Sequence, residues 1–204
     1  MYASRTGTRR NLDALRRLGW RLLVSATGVW NPHGFRYALD NGAWTAHQQG
    51  TPWDEAAFLR LCYRLGSGAD WIVLPDIVAG GRESLSLSVA WLERLQWLDA
   101  PKLIAVQDGM TPDDVAPFVG SGVGVFLGGS TEWKLRTLGQ WGDFAARHRC
   151  HYHVGRVNTV RRIHACVLAG ADSCDGTSAT RFSKNALRLD RAAAQTALFP
   201  RGVA

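Results

Sequence analysis

The sequence predicts an α/β protein, a compact (β/α)8 barrel of the TIM type, from two observations. Short apolar runs alternate with longer amphipathic segments along most of the 204 residues, a pattern typical of parallel strands separated by helices. Eight such runs can be identified, which matches the strand number of this barrel, and the chain is close to its lower size limit. An open doubly wound sheet is the alternative. That fold would place a glycine-rich phosphate loop after an early strand, and the sequence has no G-x-G-x-x-G.

The strands and helices follow in alternating order. The candidate strands are residues 2–4, 22–25, 37–40, 71–75, 103–107, 123–127, 152–155 and 171–175. Leu12, Leu15 and Leu18 share one face of a first helix. Later helix starts, indicated by a capping side chain or a cap before proline, are expected at Thr51, Thr111, Ser130 or Thr131, Asn158 and Ser183. Residues 27–36 are expected to form a loop, and with no linker in the chain, residues 1–204 are expected to form one domain.

Composition narrows the function classes. The net charge of +7, carried mostly by arginine, favours a polyanionic partner or reflects a solvated basic surface. No apolar run approaches the roughly 20 residues of a membrane span, and the N-terminus lacks the apolar core of a signal peptide. We therefore expect a cytoplasmic protein, in a bacterium or a phage-infected host, without a membrane partner.

Metal and disulfide chemistry are not indicated. The four cysteines contain no Cys-x-x-Cys pair and are expected to be reduced core residues. The histidines show no metal-ligand spacing, and His151 and His153 are expected to point to opposite faces of one strand. We predict no metal and no cofactor.

Polar residues and glycines follow the predicted strands at their carboxyl ends, which meet at one mouth in a barrel of this kind. Asp40 and Asp175 each end an apolar run and precede a glycine-containing turn. Two carboxylates that are distant in sequence suit displacement at a sugar carbon, because one attacks while the other moves protons. Taken singly, each could instead be a turn aspartate that caps a helix.

Two segments carry a resemblance to a known family. Residues 172–185, Asp-Ser-Cys-Asp-Gly-Thr-Ser-Ala-Thr-Arg-Phe-Ser-Lys-Asn, resemble the nucleophile segment of the tRNA-guanine transglycosylase superfamily, where arginine follows the aspartate by six residues. Residues 39–44, Leu-Asp-Asn-Gly-Ala-Trp, are similar to its Asp-Ser-Gly-Gly-aromatic motif. Residues 74–76, 106–107 and 127–129 follow in the order of its base-recognition elements. The resemblance spans residues 37–185 and is strongest in the two aspartate segments.

The resemblance implies a role for each residue that matches. Asp175 would be the nucleophile at C1′ of the target nucleoside, and Asp40 the general acid/base that deprotonates the incoming base. The implied base-binding residues are Asp76 and Gln107 for the edge of a guanine or 7-deazaguanine, the Gly128 and Gly129 amides for its carbonyl, Trp44 for one face, Val154 for the opposite wall, and Asn41, which stands where the superfamily has serine. Asp108 competes with Gln107 for its role, Asp76 could be a turn residue, and Trp44 could pack at the rim.

Departures from the tRNA enzymes shift the implied substrate towards DNA. About twenty residues follow Asn185, without Cys or His, so we expect no zinc subdomain of the kind those enzymes carry. The chain is most similar to compact DNA-modifying relatives from phages and bacterial modification islands, which insert a 7-deazaguanine base such as preQ0. We expect Arg156, Arg161 and Arg181 to line the nucleic-acid path, and a homodimer is possible. Arg181 could alternatively be a surface residue.

The function predicted is therefore a DNA guanine transglycosylase that uses a covalent aspartyl intermediate. The alternatives are a transglycosylase acting on tRNA, a small-molecule barrel enzyme such as an isomerase or aldolase, and a non-catalytic nucleic-acid-binding module. The fold alone permits the small-molecule enzyme, but no lysine is expected inside the barrel. Retention of both Asp40 and Asp175 argues against the binding module.

Overall fold

Eight parallel strands form a closed barrel in chain order, which confirms the predicted fold class. The computed structural model describes residues 1–4, 8–181 and 183–196, with the backbone alone for residues 181, 183, 184, 195 and 196. The strands are β1 (Tyr2–Ser4), β2 (Arg21–Ser25), β3 (Tyr37–Asp40), β4 (Ile72–Val73), β5 (Lys102–Val106), β6 (Val123–Leu127), β7 (Tyr152–Val154) and β8 (Ser173–Gly176). The helices are α1 (Arg9–Arg17), α2 (Ala43–Gln49), α3 (Glu55–Leu65), α4 (Gly81–Arg94), α5 (Pro112–Val115), α6 (Thr131–His148), α7 (Val160–Leu168), α8 (Ser178–Arg181) and α9 (Ser183–Thr196).

Strand β1 closes the barrel although it is only three residues long. It pairs with β2 on one side and with β8 on the other, where Tyr2 lies opposite Asp175 and Ala3 opposite Gly176. The pairing with β8 brings the last strand of the chain next to the first. Asp175 consequently lies in a strand that pairs on both sides, with β1 and with β7.

Side chains alternate between the barrel interior and the helix layer, as the period of two in a strand requires. The interior cluster consists of Tyr2, Leu23, Ala38, Trp71, Val73, Leu103, Ala105 and Phe126. The alternate residues, among them Leu39, Val106 and Leu127, pack against the helices in a larger cluster. Each fully buried aliphatic side chain contributes about 1.5–3 kcal/mol. The same alternation turns the residues that end the strands towards the mouth.

Several predicted boundaries shift for local reasons. Strand β4 ends at Val73 and not at residue 75, because Pro75 has no N–H to donate to a ladder. Helix α3 begins at Glu55 and not near Thr51, because Asp54 caps it by accepting from the Ala57 N–H at 2.8 Å.

Other boundaries differ in what lies at the mouth. Helix α7 is capped by Thr159 and not by Asn158, whose side chain accepts from the Ser178 N–H at 2.9 Å. The short helix α2, which the sequence did not indicate, follows β3 directly and carries Trp44. Residues 27–36 form the predicted loop between β2 and β3.

Two further findings concern the chain as a whole. Within the described residues, no helix has both the length and the apolar character needed to cross a membrane. The cysteines Cys62, Cys150, Cys166 and Cys174 are buried free thiols that pack in the cluster between barrel and helices.

Candidate active site

Asp40 and Asp175 lie at the same end of the barrel, and their carboxylates interact. Asp40 ends β3, and Asp175 lies in β8 with only 6% of its surface exposed. The pKa of Asp40 is raised to about 6 because the carboxyl group is buried and because Asp175 and Asp76 place negative charge nearby; hydrogen bonds from Ser25 and Gly42 oppose this. Such repulsion acts between neighbouring carboxylates, and the three acids lie at or near the carboxyl ends of β3, β4 and β8. The structure therefore brings Asp40, Asp76 and Asp175 together.

A tight turn after β3 orients Asp40. The Gly42 N–H donates to Asp40 Oδ2 at 3.3 Å, and Gly42 has a φ of 83°, in the left-handed region that residues with a side chain rarely adopt. A Cβ atom at this position would also lie 3.1 Å from Thr27 Cγ2. The glycine is therefore required by the turn that holds the carboxylate.

Asn41 holds Asp76 and is itself inaccessible. Its side chain is buried, and its amide nitrogen donates to Asp76 Oδ1 at 2.8 Å and to the Leu74 carbonyl at 2.6 Å, while its Oδ1 accepts from the Ala43 N–H. Both amide protons are used within the protein, so the direct base contact predicted for Asn41 is replaced by a positioning role. Burial raises the pKa of Asp76, which Asn41 and Arg156 oppose.

Gln107 and Asp108, the two competitors for one recognition role, have different partners. The buried Gln107 donates through Nε2 to the Ile77 carbonyl at 2.9 Å and to Ser84 Oγ at 2.8 Å. Its carbonyl oxygen is thus the group left for a ligand. Asp108 accepts from both the N–H and the hydroxyl of Ser130 at 2.6 Å. Burial favours its neutral form, but these hydrogen bonds hold the pKa of Asp108 below its usual range, and they commit it to the loop before α6.

The two glycines after β6 differ in what their amides can do. The Gly128 N–H donates to the Val106 carbonyl at 2.8 Å, so it belongs to the barrel ladder and is not available to a base carbonyl, contrary to the prediction. Gly129 has a φ of 70°, and a Cβ atom there would lie 2.5 Å from Asp108 Oδ2 and 2.9 Å from Trp133 Cε3. Only glycine fits this turn, and the Gly129 amide is the remaining candidate donor.

Arg156 lies in the centre of the mouth. Its backbone N–H donates to Asp175 Oδ1 at 2.6 Å, and its φ of 60° is unusual for a residue with a side chain. The guanidinium donates to the Gly129 carbonyl and lies 4.2 Å from the ring centroid of Trp44, a cation–π distance. Trp44 is 41% exposed, so it has an accessible ring, one face of which is covered by Arg156.

The other two predicted arginines are placed differently. Arg161 is exposed in the first turn of α7, outside the cluster of acids. Arg181 is the last residue of α8, and its side chain lies outside the described part of the structure. Of the three arginines predicted to line a nucleic-acid path, Arg156 alone is shown to contact the acids.

Val154 does not line the mouth. It pairs with Leu127 and Cys174 in register, and all three pack in the cluster between barrel and helices. The prediction that Val154 forms a wall of the base pocket is therefore wrong. Because side chains alternate along β7, the residues on either side of Val154, namely His153 and Gly155, are the ones at inward positions.

His153 is the inward residue that the sequence reasoning missed. It is fully buried, and its Nε2 lies 3.9 Å from Asp175 Oδ2. The expectation that His151 and His153 point to opposite faces is wrong, because residues two apart in a strand share a face. Both rings contact Ser173 Oγ at 2.8 Å. The strand period of two is the sequence signal that places both histidines on the same face.

Lys134 is a second residue that the sequence did not single out. It projects from α6 behind β7, is 6% exposed, and donates through Nζ to the Gly155 carbonyl at 2.6 Å. Burial and the positive charge of Arg156 lower the pKa of Lys134 to about 8, which Asp175 opposes. A lysine at the start of an amphipathic helix gives no sequence signal for this position.

The arrangement suits covalent displacement with proton transfer. One carboxylate, Asp175, is held by a backbone N–H, and a second, Asp40, has a pKa of about 6, so that it can both donate and accept a proton near that pH. No group of three or more His, Cys, Asp or Glu side chains within the described ranges is arranged to hold a metal ion. No family model and no curated protein matches the sequence.

Proposed function

We propose that this barrel is a transglycosylase that exchanges guanine in DNA for a 7-deazaguanine base through a covalent intermediate on Asp175. The observation that carries the proposal is the pair of acids at one mouth, one of them, Asp40, with a pKa of about 6 that depends partly on the charge of the other. The resemblance of residues 39–44 and 172–185 to the tRNA-guanine transglycosylase superfamily supports the same reaction.

In the first half-reaction, an oxygen of Asp175 forms a bond to C1′ while the bond from C1′ to N9 of guanine breaks. The departing guanine takes its proton from Asp40, which must therefore begin protonated. Formation of the ester removes the negative charge of Asp175, which is one cause of the raised pKa of Asp40. The pKa of Asp40 thus falls as the bond between Asp175 and C1′ forms, which is when Asp40 gives its proton to the departing guanine.

In the second half-reaction, the ionised Asp40 removes the N9 proton of the incoming base. N9 then attacks C1′, and the bond to Asp175 breaks with return of the carboxylate. Two displacements at one carbon give net retention. The protons balance over the cycle, and the exchange consumes no cofactor. A free Asp175 carboxylate then raises the pKa of Asp40 again.

Base recognition in this proposal uses the groups that remain available at the mouth. The Asp76 carboxylate and the Gln107 carbonyl can accept from the N–H groups of a guanine edge, and the Gly129 amide can donate to its carbonyl. A base stacked on the inner face of Trp44 has to take the place of the Arg156 guanidinium. Binding would therefore release this arginine towards the phosphates of the polymer.

Charge supports a nucleic-acid substrate in general, and the resemblance to compact relatives supports the choice of DNA over tRNA. The net charge of +7 favours a polyanion, and phosphate contacts would offset the few kcal/mol needed to extrude a nucleotide from a duplex. The same chemistry on tRNA is the second arm of the test.

The test measures incorporation of a labelled 7-deazaguanine base into guanine-containing DNA and into tRNA. We expect label in DNA, and none with Asp175→Asn, which keeps the size of the side chain but cannot attack. Asp113→Asn is the matched control, because Asp113 is an exposed carboxylate in α5 outside the acid cluster, and it should label normally.

The outcomes separate the alternatives. Label in tRNA and not in DNA would show that the polymer substrate is tRNA. Label in neither polymer, with a folded protein by circular dichroism, would contradict base exchange. Equal labelling by wild type and Asp175→Asn would show that Asp175 is not the nucleophile.

A further inference from the structure

A column of polar side chains runs through the barrel interior beneath Asp175. His151 Nε2 and His153 Nδ1 both lie 2.8 Å from the hydroxyl oxygen of Ser173, and His153 Nε2 lies 3.9 Å from Asp175 Oδ2. At the lower end, His151 Nδ1 lies 3.9 Å from the half-exposed Asp172. The column thus connects the mouth of the barrel with its opposite end.

His153 has no other partner for Nε2 among the described residues. The rings of Trp71, Phe126 and Tyr2 surround it, with centroids 4.5, 4.8 and 5.8 Å from that of the imidazole. A buried donor without an acceptor costs about 1–3 kcal/mol. The Asp175 carboxylate lies 3.9 Å from this nitrogen, and a small movement would bring the two within hydrogen-bond distance.

The Ser173 hydroxyl has a single proton and two nitrogen neighbours, which allows two orderings of the column. In one, Ser173 donates to His153 Nδ1 and accepts from His151, so that a neutral His153 carries its proton on Nε2, towards Asp175. In the other, His153 donates from Nδ1, and its Nε2 lone pair faces the carboxylate. The second ordering is repulsive.

Charged groups around the column favour a neutral His153. Burial lowers the pKa of His153, and the N-terminal amino group of Met1 and Lys134 act in the same direction, while Asp175 opposes them. Burial also lowers the pKa of His151, and His153 adds to this. A second buried positive charge is thus unfavourable.

We propose that His153 is a positioning residue for Asp175, held by Ser173 in the neutral form that carries its proton on Nε2. The Arg156 N–H then holds one carboxylate oxygen and His153 the other. The geometry of the column is a property of the folded chain, whereas its role in exchange rests on the proposed function. In that reaction, the Nε2–H stabilises the carboxylate that returns when the bond to C1′ breaks.

Nitrogen NMR of the imidazole side chains tests the protonation state without substrate. In ¹⁵N-labelled protein at pH 7.5, long-range proton–nitrogen correlations should show His153 protonated on Nε2 only. Ser173→Ala removes the donor to Nδ1 and should introduce the other tautomer. The exposed His47, which lies outside the column, serves as the reference. His153 protonated on Nδ1 alone, or on both nitrogens, would overturn the proposal.

The role in exchange is tested with two substitutions of His153. Glutamine keeps an N–H at the position of Nε2, whereas leucine of similar size does not. We expect His153→Leu to lower kcat roughly 100-fold with little change in KM, and His153→Gln to recover most of that loss. Equal loss in both variants would reject positioning. Were the wild type inactive on every polymer, the proposed function would fail, and the NMR result would still decide the state of His153.

Discussion

Individual carboxylates at the barrel mouth are held in unequal electrostatic states. Burial and neighbouring negative charge raise the pKa of Asp40 and of Asp76, whereas hydrogen bonds from Ser130 keep that of Asp108 low. These acids lie on neighbouring loops, so their environments and not their chemical identity set their roles. A pair of groups with such different environments is what acid–base catalysis requires.

The raised pKa of Asp40 predicts a stability effect. The folded protein binds this proton more tightly than the unfolded chain, whose aspartate pKa is near 3.8, so the free energy of unfolding falls as pH rises from about 4 to about 6 and stays lower above. Asparagine cannot ionise, so the free energy of unfolding of Asp40→Asn does not fall for this reason as pH rises. We expect the variant to match wild type near pH 3.5 and to exceed it at pH 7.5 by at most about 3 kcal/mol, measured by urea unfolding.

Asp113→Asn provides the comparison, because Asp113 is an exposed carboxylate in α5 that lies outside the acid cluster. A loss of stability in Asp40→Asn that does not depend on pH would show that folding does not raise the pKa of Asp40.

The two half-reactions should depend on pH in opposite directions. Guanine release needs protonated Asp40, so the rate of adduct formation should fall as pH rises through about 6. Resolution by the incoming base needs ionised Asp40, so its rate should rise with pH, with an apparent pKa below 6 because the ester at Asp175 carries no charge. Rapid-quench assays with and without the incoming base separate the two rates. Parallel pH profiles would contradict the assigned role of Asp40.

The strands and loops determine which side chains reach the mouth. Four loops after strands hold the side chains at the mouth. A glycine turn after β3 orients Asp40, and the Asp76 carboxylate after β4 accepts from Asn41. Asp108 after β5 accepts from Ser130 after β6, and Arg156 after β7 has a left-handed backbone conformation. These hydrogen bonds link neighbouring loops to one another. The mouth is therefore rigid around its acids.

Gly129→Ala tests that rigidity. Its φ of 70° and the approach of a Cβ atom to Asp108 and Trp133 should cost roughly 1–3 kcal/mol of stability and displace the adjoining loop. Gly139→Ala in α6 is the control, since nothing lies within 4 Å of its added Cβ atom, and alanine favours a helix interior by about 1 kcal/mol. Thermal unfolding should move Tm in opposite directions. A neutral Gly129→Ala would show that the turn tolerates a side chain.

Local patterns in the sequence were sufficient for the strands but not for every side chain. Alternation of apolar runs predicted all eight strands, because a buried parallel strand must be apolar. The direction of Val154 and the donors of Asn41 could not be predicted in this way, since they depend on the register of β7 and on the distance to Asp76. His153 was set aside because His151 and His153 were assigned to opposite faces of the strand, whereas residues two apart share a face.

The molecule as a whole combines a basic surface with an acidic pocket. The net charge is +7, while the mouth gathers Asp40, Asp76 and Asp175. A polyanion attracted to the surface would therefore meet repulsion at the acids unless its charge is held outside them. This arrangement suits a polymer whose phosphates stay at the rim while a neutral base enters.

Arg161 provides a test of the rim. It is exposed at the start of α7, and Arg161→Ala should weaken DNA binding and lower the slope of log K against log salt by about 1. Arg60→Ala is the control, because Arg60 is exposed in α3 and carries the same charge, yet is not among the arginines predicted to line the path. Equal effects of the two variants would show that DNA binding depends on net charge alone and not on the position of Arg161.

The most direct measurement is the mass of the intact protein after incubation with guanine-containing DNA and no incoming base. The account predicts a covalent protein–DNA adduct that peptide mapping places on Asp175, that disappears with Asp175→Asn, and that is resolved on addition of a 7-deazaguanine base. An unmodified wild-type protein with DNA and with tRNA, or an adduct that persists in Asp175→Asn, would contradict it.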